Sequence, residues 1–371
     1  MNLCFIGMRI TKHDAIGNHT LLLLEELSAD KRNTLELCAF SIEAPVPDGV
    51  KTCALGKINK HSLKAELFSL ANSHKLAKKF AMCDALVVVC IEPVLLPSIC
   101  LAKVINPHLK IVYIFHGITP VGFHDDTRTK FLESWRYFAY RALAKKADYV
   151  VTDSNYTRDI VKKEIKRDDI SSIHIGIDQS RFKKVDCSDV VRKHGLSGKF
   201  VMLYVGRLAS IKQIDLLIRS MTALPVDVML LIAGGGDDGV RLENLTKTLG
   251  VDERVIFAGK VSDADLMKYY AASDVFVTAS LHEGFCVPVV EAFASGKPVV
   301  VPNRTAMPEV AGDAGLVYDG SLEDFISKIQ MLKNDKKFRE QLSKKVASRA
   351  KEFNTDRILD YVKFLENICE C

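Results

Sequence analysis

The chain has 371 residues, 48% of them hydrophobic and 26% charged, and 51 basic against 46 acidic residues leave a net charge of +5. That length is generous for one hydrophobic core and comfortable for two, and the composition excludes a disordered or collagen-like chain. The small positive balance gives no argument for nucleic acid, but it leaves phosphorylated small molecules or an anionic membrane surface as partners.

Residues 1–10 read as a first strand rather than a secretory leader, because Arg9 falls late and a polar loop follows. Ten cysteines without a CxxC pair, several inside apolar runs, read as reduced, mostly buried thiols of a cytoplasmic protein. The most apolar stretch, 85–105, is broken by Glu92, Pro93, Pro97 and Lys103, so a membrane span is not expected there.

Short β-branched runs alternate with helical patterns, the signature of βαβ units and parallel sheets. In the first half, strands are predicted at 3–7, 35–41, 85–90, 110–115 and 149–153, with helices at 20–27, 63–80 and 129–146. A turn at 173–182 and a polar linker at 183–197 follow. The pattern then restarts with strands at 200–205, 228–233, 254–258, 275–279 and 298–302, and helices at 212–222, 239–249, 263–272, 287–294 and 322–353. Two doubly wound α/β domains result, 1–182 and 183–354, with a last helix within 355–371. Their ligand is expected at the strand C-termini where the domains meet.

Glu283-Gly284-Phe285-Cys286-Val287-Pro288 joins a strand to a helix, with Pro288 well placed at the helix start and Gly296 past its end. Such a start offers backbone N–H groups and a positive dipole end to a diphosphate, here through Phe285, Cys286 and Val287. Glu283 can accept from sugar hydroxyls, and Glu291 from a cis-diol such as a ribose. The plainer alternative makes Glu291 a dipole partner and Glu283 a solvated acid.

A second signal is Gly206-Arg207 at the end of a strand, followed by Ser210 and Lys212. Ser210 and Gln213 fit a capping box, which would put Lys212 in a first helical turn. A cation there is unfavourable unless an anion offsets it, so Arg207 and Lys212 point to phosphate. Gly234-Gly235-Gly236 ends the next strand, where the glycines allow a tight turn and close backbone approach, either bordering the nucleotide or simply turning the chain. In the first half, the Gly17 loop and His116 follow strands and so face the same expected cleft. Asp263-Ala264-Asp265 has the D-x-D form, yet helix capping explains it better, and the His124-Asp125-Asp126 cluster reads as a turn. No dedicated metal site is expected.

Taken together, these residues resemble the retaining glycosyltransferases of family 4, which share the GT-B architecture of two Rossmann-like domains. Gly206-Arg207 with Lys212 resembles the family's phosphate-binding pair, and Glu283 with Glu291 its E-x7-E motif. Gly259, Lys260 and Val261 fall where the family's loop lies by the base. Gly17 fits one glycine of its N-terminal loop, His116 a histidine near the transferred sugar, and the helix at 355–368 one that crosses back to the first domain. Gln213 and Cys286 stand where the family often has glycine, and only one glycine remains in the N-terminal loop.

The resemblance implies a metal-independent hexosyltransferase of glycan biosynthesis. It would move a sugar, with retention, from a UDP- or GDP-sugar to a glycan, lipid-linked or small-molecule hydroxyl. His116, Glu283, Arg207 and Lys212 would be its catalytic residues, with no cofactor and no nucleic-acid partner. Basic segments at 57–79 and 128–146 admit peripheral contact with the inner membrane face. The alternatives are a nucleotide-sugar epimerase on the same scaffold and a non-catalytic nucleotide-sugar binding module.

Overall fold

The computed structural model describes residues 1–11, 15–55, 72–89, 93–117 and 127–370. The chain divides into two compact units, Met1–Gly176 with Asp356–Cys371, and Ile177–Thr355.

Among the described residues the first unit carries seven parallel strands: β1 (Asn2–Ile10), β2 (Thr34–Ile42), β3 (Val50–Ala54), β4 (Ala85–Val88), β5 (Lys110–Phe115), β6 (Tyr149–Thr152) and β7 (Ile170–Ser172). Their order in the sheet is β3-β2-β1-β4-β5-β6-β7, so the direction of winding reverses between β1 and β4. Helices α1 (Ala15–Ala29), α2 (Ser73–Phe80), α3 (Leu96–Ile105), α4 (Thr127–Lys146) and α5 (Asn155–Ile165) connect them. All four residues of β4 are buried, as expected of a strand covered on both faces. One core side gathers Ile6, Leu86, Val88, Ile111 and Phe80. The other gathers Leu3, Phe5, Leu24 and Leu37 with Ile358, Tyr361 and Leu365 of the last helix.

The second unit carries β8 (Phe200–Val205), β9 (Val228–Ala233), β10 (Val255–Gly259), β11 (Val275–Val277), β12 (Val299–Pro302) and β13 (Gly315–Tyr318), in the order β10-β9-β8-β11-β12-β13. Its helices are α6 (Ser188–Lys193), α7 (Ile214–Ser220), α8 (Gly239–Thr248), α9 (Asp263–Ala272), α10 (Val287–Ala294), α11 (Met307–Ala311), α12 (Leu322–Asn334) and α13 (Lys336–Lys351). Helix α14 (Asp356–Glu370) follows and packs on α1 in the first unit. β9 is buried throughout, and Phe276, Phe293 and Phe325 are each at most 1% exposed. Burial of each such side chain is worth about 1.5–3 kcal/mol.

Several expectations change. The unit boundary falls at 176/177 rather than 182/183, because the Ile177 N–H donates to Phe353 O at 3.0 Å and ties the 177–182 segment to the second unit. The expected linker holds α6, which packs on α9. The single helix expected at 322–353 is two, because the Asp335 side chain accepts from the Phe338 N–H at 2.8 Å and caps a new start. The expected helix at 63–80 lies only partly within the described residues, where Ser73–Phe80 is helical, and His124-Asp125-Asp126 lies outside them. Among the described residues no helix is long and apolar enough to cross a membrane.

Candidate functional site

In the second unit the winding reverses between the paired strands β8 and β11, where open parallel sheets hold their ligands. Gly206 and Arg207 leave β8, and the 280–286 loop leaves β11. Three backbone hydrogen bonds lace the first of these loops to its neighbour. Gly206 N–H donates to Ala233 O, Leu208 N–H to Gly235 O, and Asp238 N–H to Leu208 O, at 3.0, 3.1 and 3.2 Å. This back-to-back packing is why Gly234 must lack a side chain. A Cβ there would stand 1.8 Å from Gly206 O, and φ is +151°. The glycine turn therefore holds the Arg207 loop. The stem of Lys260, which follows β10, lies over Gly235, with Cγ 3.1 Å from where a Cβ would be. Gly259 has φ +68°, and Val261 is half-buried.

Lys212 and Glu283 meet across this junction, Nζ to Oε1, at 2.6 Å, with side chains 16% and 19% exposed. Two further bonds fix the partners: Leu281 N–H donates to Ile211 O at 2.9 Å, and Glu283 N–H to Thr305 Oγ1 at 3.2 Å. Arg207 is exposed, and among the described residues its guanidinium forms no ion pair.

The expected capping box is absent. Ser210–Lys212 is a 3-10 turn, and α7 begins after Gln213, which takes the left-handed conformation (φ +44°) without a side-chain cap. Lys212 thus precedes the helix, and Glu283 offsets its charge. Because a left-handed backbone is costly for any residue with a Cβ, Gln213→Gly is expected to raise stability by about 0.5 kcal/mol, net of glycine's entropy in the unfolded chain. Urea denaturation checks this, and a loss of stability contradicts it.

Cys286 is likewise left-handed (φ +78°), buried, and stands at the N-terminal boundary of α10, where Pro288 occupies the first turn. Burial, then Glu283 nearby, pushes its thiol well up, so it is neutral and no nucleophile. Gly284 is half-buried, and Phe285 is buried with its ring edge-on to Phe353 at 5.8 Å. Val287 opens the helix. Glu291 is the fifth residue of α10, beyond the turn where an acid would complement the dipole. The Tyr270 hydroxyl donates to its Oε2 at 2.8 Å, and burial raises its pKa above the usual carboxylate value. In the D-x-D segment, Ser262 caps α9, accepting from the Asp265 N–H, while Asp265 pairs with Lys268 at 3.2 Å.

The first unit has its own cluster. β5 and β6 pair with Phe115 opposite Thr152, so the next residues, His116 and Asp153, emerge side by side. His116 Nδ1 lies 2.7 Å from Asp153 Oδ2, with side chains 4% and 2% exposed. Tyr361 of α14 donates to Ile173 O at 2.7 Å and stands 3.4 Å from Asp153 Oδ1. His19 of α1 packs edge-on to Tyr361 and to His116, at 4.7 and 5.8 Å between centroids. Among the described residues, His116 Nε2 and both ring nitrogens of His19 are buried without a hydrogen-bond partner. Burial, and then His116, lower the His19 pKa to about 4, so that ring is neutral near pH 7. Gly17 is buried in the first turn of α1; the expected loop at 15–18 is helix.

Sequence reasoning missed His19 and Asp153, which carry no spacing signal. Only the register of β5 against β6 could have paired Asp153 with His116.

The family description "Glycosyltransferase Family 4" matches residues 16–181, and "Glycosyl transferases group 1" matches residues 189–349. A stretch of 177 residues is 36% identical to O-antigen chain mannosyltransferase B of Escherichia coli, covering 46% of each chain. The chain thus spans less than half the length of the first curated relatives it matches. Among solved structures, Anabaena Alr3699/HepE in complex with UDP and glucose superposes with a TM-score of 0.79 at 19% identity, over 98% of this chain and 99% of that one. Sucrose-phosphate synthase from Thermosynechococcus elongatus superposes at 0.82 and 19% identity, over 99% and 98%. Both likenesses are of fold, and the fold is GT-B. With one half of the family's description on each stretch of parallel sheet and helix, the chain belongs to the group 1, family 4 glycosyltransferases.

Proposed function

We propose that the protein transfers a sugar from a nucleotide-diphosphate sugar to an acceptor hydroxyl, with retention of configuration and without a resident metal. The observation that carries the reading is the pair of cations beside the β8/β11 junction, Arg207 unpaired among the described residues and Lys212 held at 2.6 Å by Glu283. The similar fold of Alr3699/HepE, whose structures hold UDP or UDP-glucose, supports a nucleotide-sugar donor.

In the reaction, the bond from the anomeric carbon to the phosphate oxygen breaks and its electron pair leaves with the diphosphate. Arg207, Lys212 and the dipole at the start of α10 offset that charge from fixed positions. The acceptor oxygen bonds to the same face of the anomeric carbon, and its proton passes to the departing phosphate oxygen. Glu283 keeps one carboxylate oxygen on Lys212 and offers the other to sugar hydroxyls. Glu291, with Oε2 on Tyr270, offers its other oxygen to the ribose, and Gly259, Lys260 and Val261 flank the base. His116 Nε2 supports the sugar as positive charge develops on it. The setting remains the cytoplasmic one drawn from the cysteine pattern.

Transfer from UDP- and GDP-sugars is expected to persist in EDTA. Loss that Mg²⁺ or Mn²⁺ restores removes the metal-free mechanism. Incubation with donor alone tests the other readings: isomerised donor identifies an epimerase, and saturable binding without turnover identifies a binding module.

A further inference from the structure

Helix α4 turns three aromatic side chains outward. Phe131, Trp135 and Phe138 are 72%, 51% and 58% exposed. Their spacing, i, i+4 and i+7, sets them on one stripe. The opposite face is occupied by Ala139, Tyr140, Leu143 and Ala144, all buried, with Tyr140 stacked on Phe115 at 4.4 Å. The helix is thus anchored without the outer stripe, whose Trp135 and Phe138 stack on each other at 5.5 Å in solvent.

The stripe is set among cations. The sequence of α4 holds six basic residues against one acid, Glu133, a net +5 equal to that of the whole chain. Glu133 is itself paired with Arg136 at 2.7 Å. Lys130, Lys145 and Lys146 are exposed. The dipole of the helix accounts for Lys145 and Lys146 in the last turn, but for neither Lys130 nor the aromatics.

We propose that this face docks on an anionic lipid bilayer. Aromatic rings partition to the headgroup–acyl boundary, and lysines beside them meet lipid phosphates. Charge complementarity selects that occupant over a second copy of the chain, whose own cationic face would repel. Lys146 ends α4 three residues before β6 begins, so the aromatic first half of the helix stands toward the C-terminal edge of the sheet, the edge that carries His116 and Asp153. Docking therefore brings the first unit's cluster close to the bilayer, where an acceptor with a lipid anchor would be presented. That extension rests on the transfer reading above; the docking itself does not.

Trp135 is the only tryptophan in the chain, so intrinsic fluorescence reports on this face alone. With the full chain, emission is expected to shift to the blue on adding phosphatidylcholine vesicles that contain phosphatidylglycerol, and to stay put with phosphatidylcholine alone. Co-sedimentation with the anionic vesicles should fall by about tenfold in Phe131→Ser/Phe138→Ser, and again in Lys130→Glu/Lys145→Glu, which keeps the aromatics. Unchanged emission with anionic vesicles overturns the proposal, as does equal sedimentation of wild type and both variants. A blue shift that grows with protein concentration in the absence of lipid assigns the face to a second copy instead. None of these readouts depends on transfer, so a failure here is separable from a failure of the enzymatic reading.

Discussion

Lys212→Ala is expected to lower kcat/KM by about 10²–10³-fold, the range for removing one fixed group that meets charge developing in a transition state. Two losses combine. The cation that meets the diphosphate is gone, and Glu283, with 19% of its side chain exposed, loses the partner that holds it at 2.6 Å. An unpaired carboxylate there would swing toward water, and it then no longer presents a fixed oxygen to sugar hydroxyls. Glu283→Ala should therefore fall into the same range, and the double variant should be little worse than either single one, because the two act as a unit. Steady-state kinetics on variants with wild-type urea midpoints decides this. Near-normal turnover in both single variants removes the pair from the mechanism.

The second large effect is expected at Asp153. With its carboxylate 2.7 Å from His116 Nδ1, the Nδ1 proton is held and Nε2 is left as the acceptor. Asn in its place keeps the shape but can present an amide N–H to the ring, which favours the other tautomer. A fall in kcat of about a hundredfold, with donor KM nearly unchanged, is the expected outcome. His116→Ala should cost a similar amount, and combining the two should add little. If Asp153→Asn turns over like wild type, or if the two losses multiply, the carboxylate does not act through the ring.

Much of this was legible in the sequence because it depends on period and spacing. β5 is found at the predicted residues, and Arg207, Lys212 and Glu283 lie in the loops that follow strands that apolar runs had marked. What was not legible depends on backbone dihedrals or on register. Gln213 looked like the closing residue of a capping box, yet its φ of +44° ends a 3-10 turn and delays the helix. β3 has no fully buried residue, and β7 spans three residues, so neither shows an apolar run. Asp153 closed a predicted strand without any signal of its own, and only its neighbour across the sheet gives it a role. His19 fell just before the predicted 20–27 helix and drew no reading, and its burial became visible only with Tyr361, far along the chain, packed against it.

That distance has a consequence for biogenesis. Ile358, Tyr361, Leu365 and Ile368 belong to the core of the first unit, yet they are synthesised after the whole of the second. On the ribosome the contiguous 177–355 stretch can reach its native state while the amino-terminal sheet still lacks one covering helix. The part made earliest is completed last, and until then the apolar side chains of the first unit that cluster with α14 are exposed to chaperones and to aggregation.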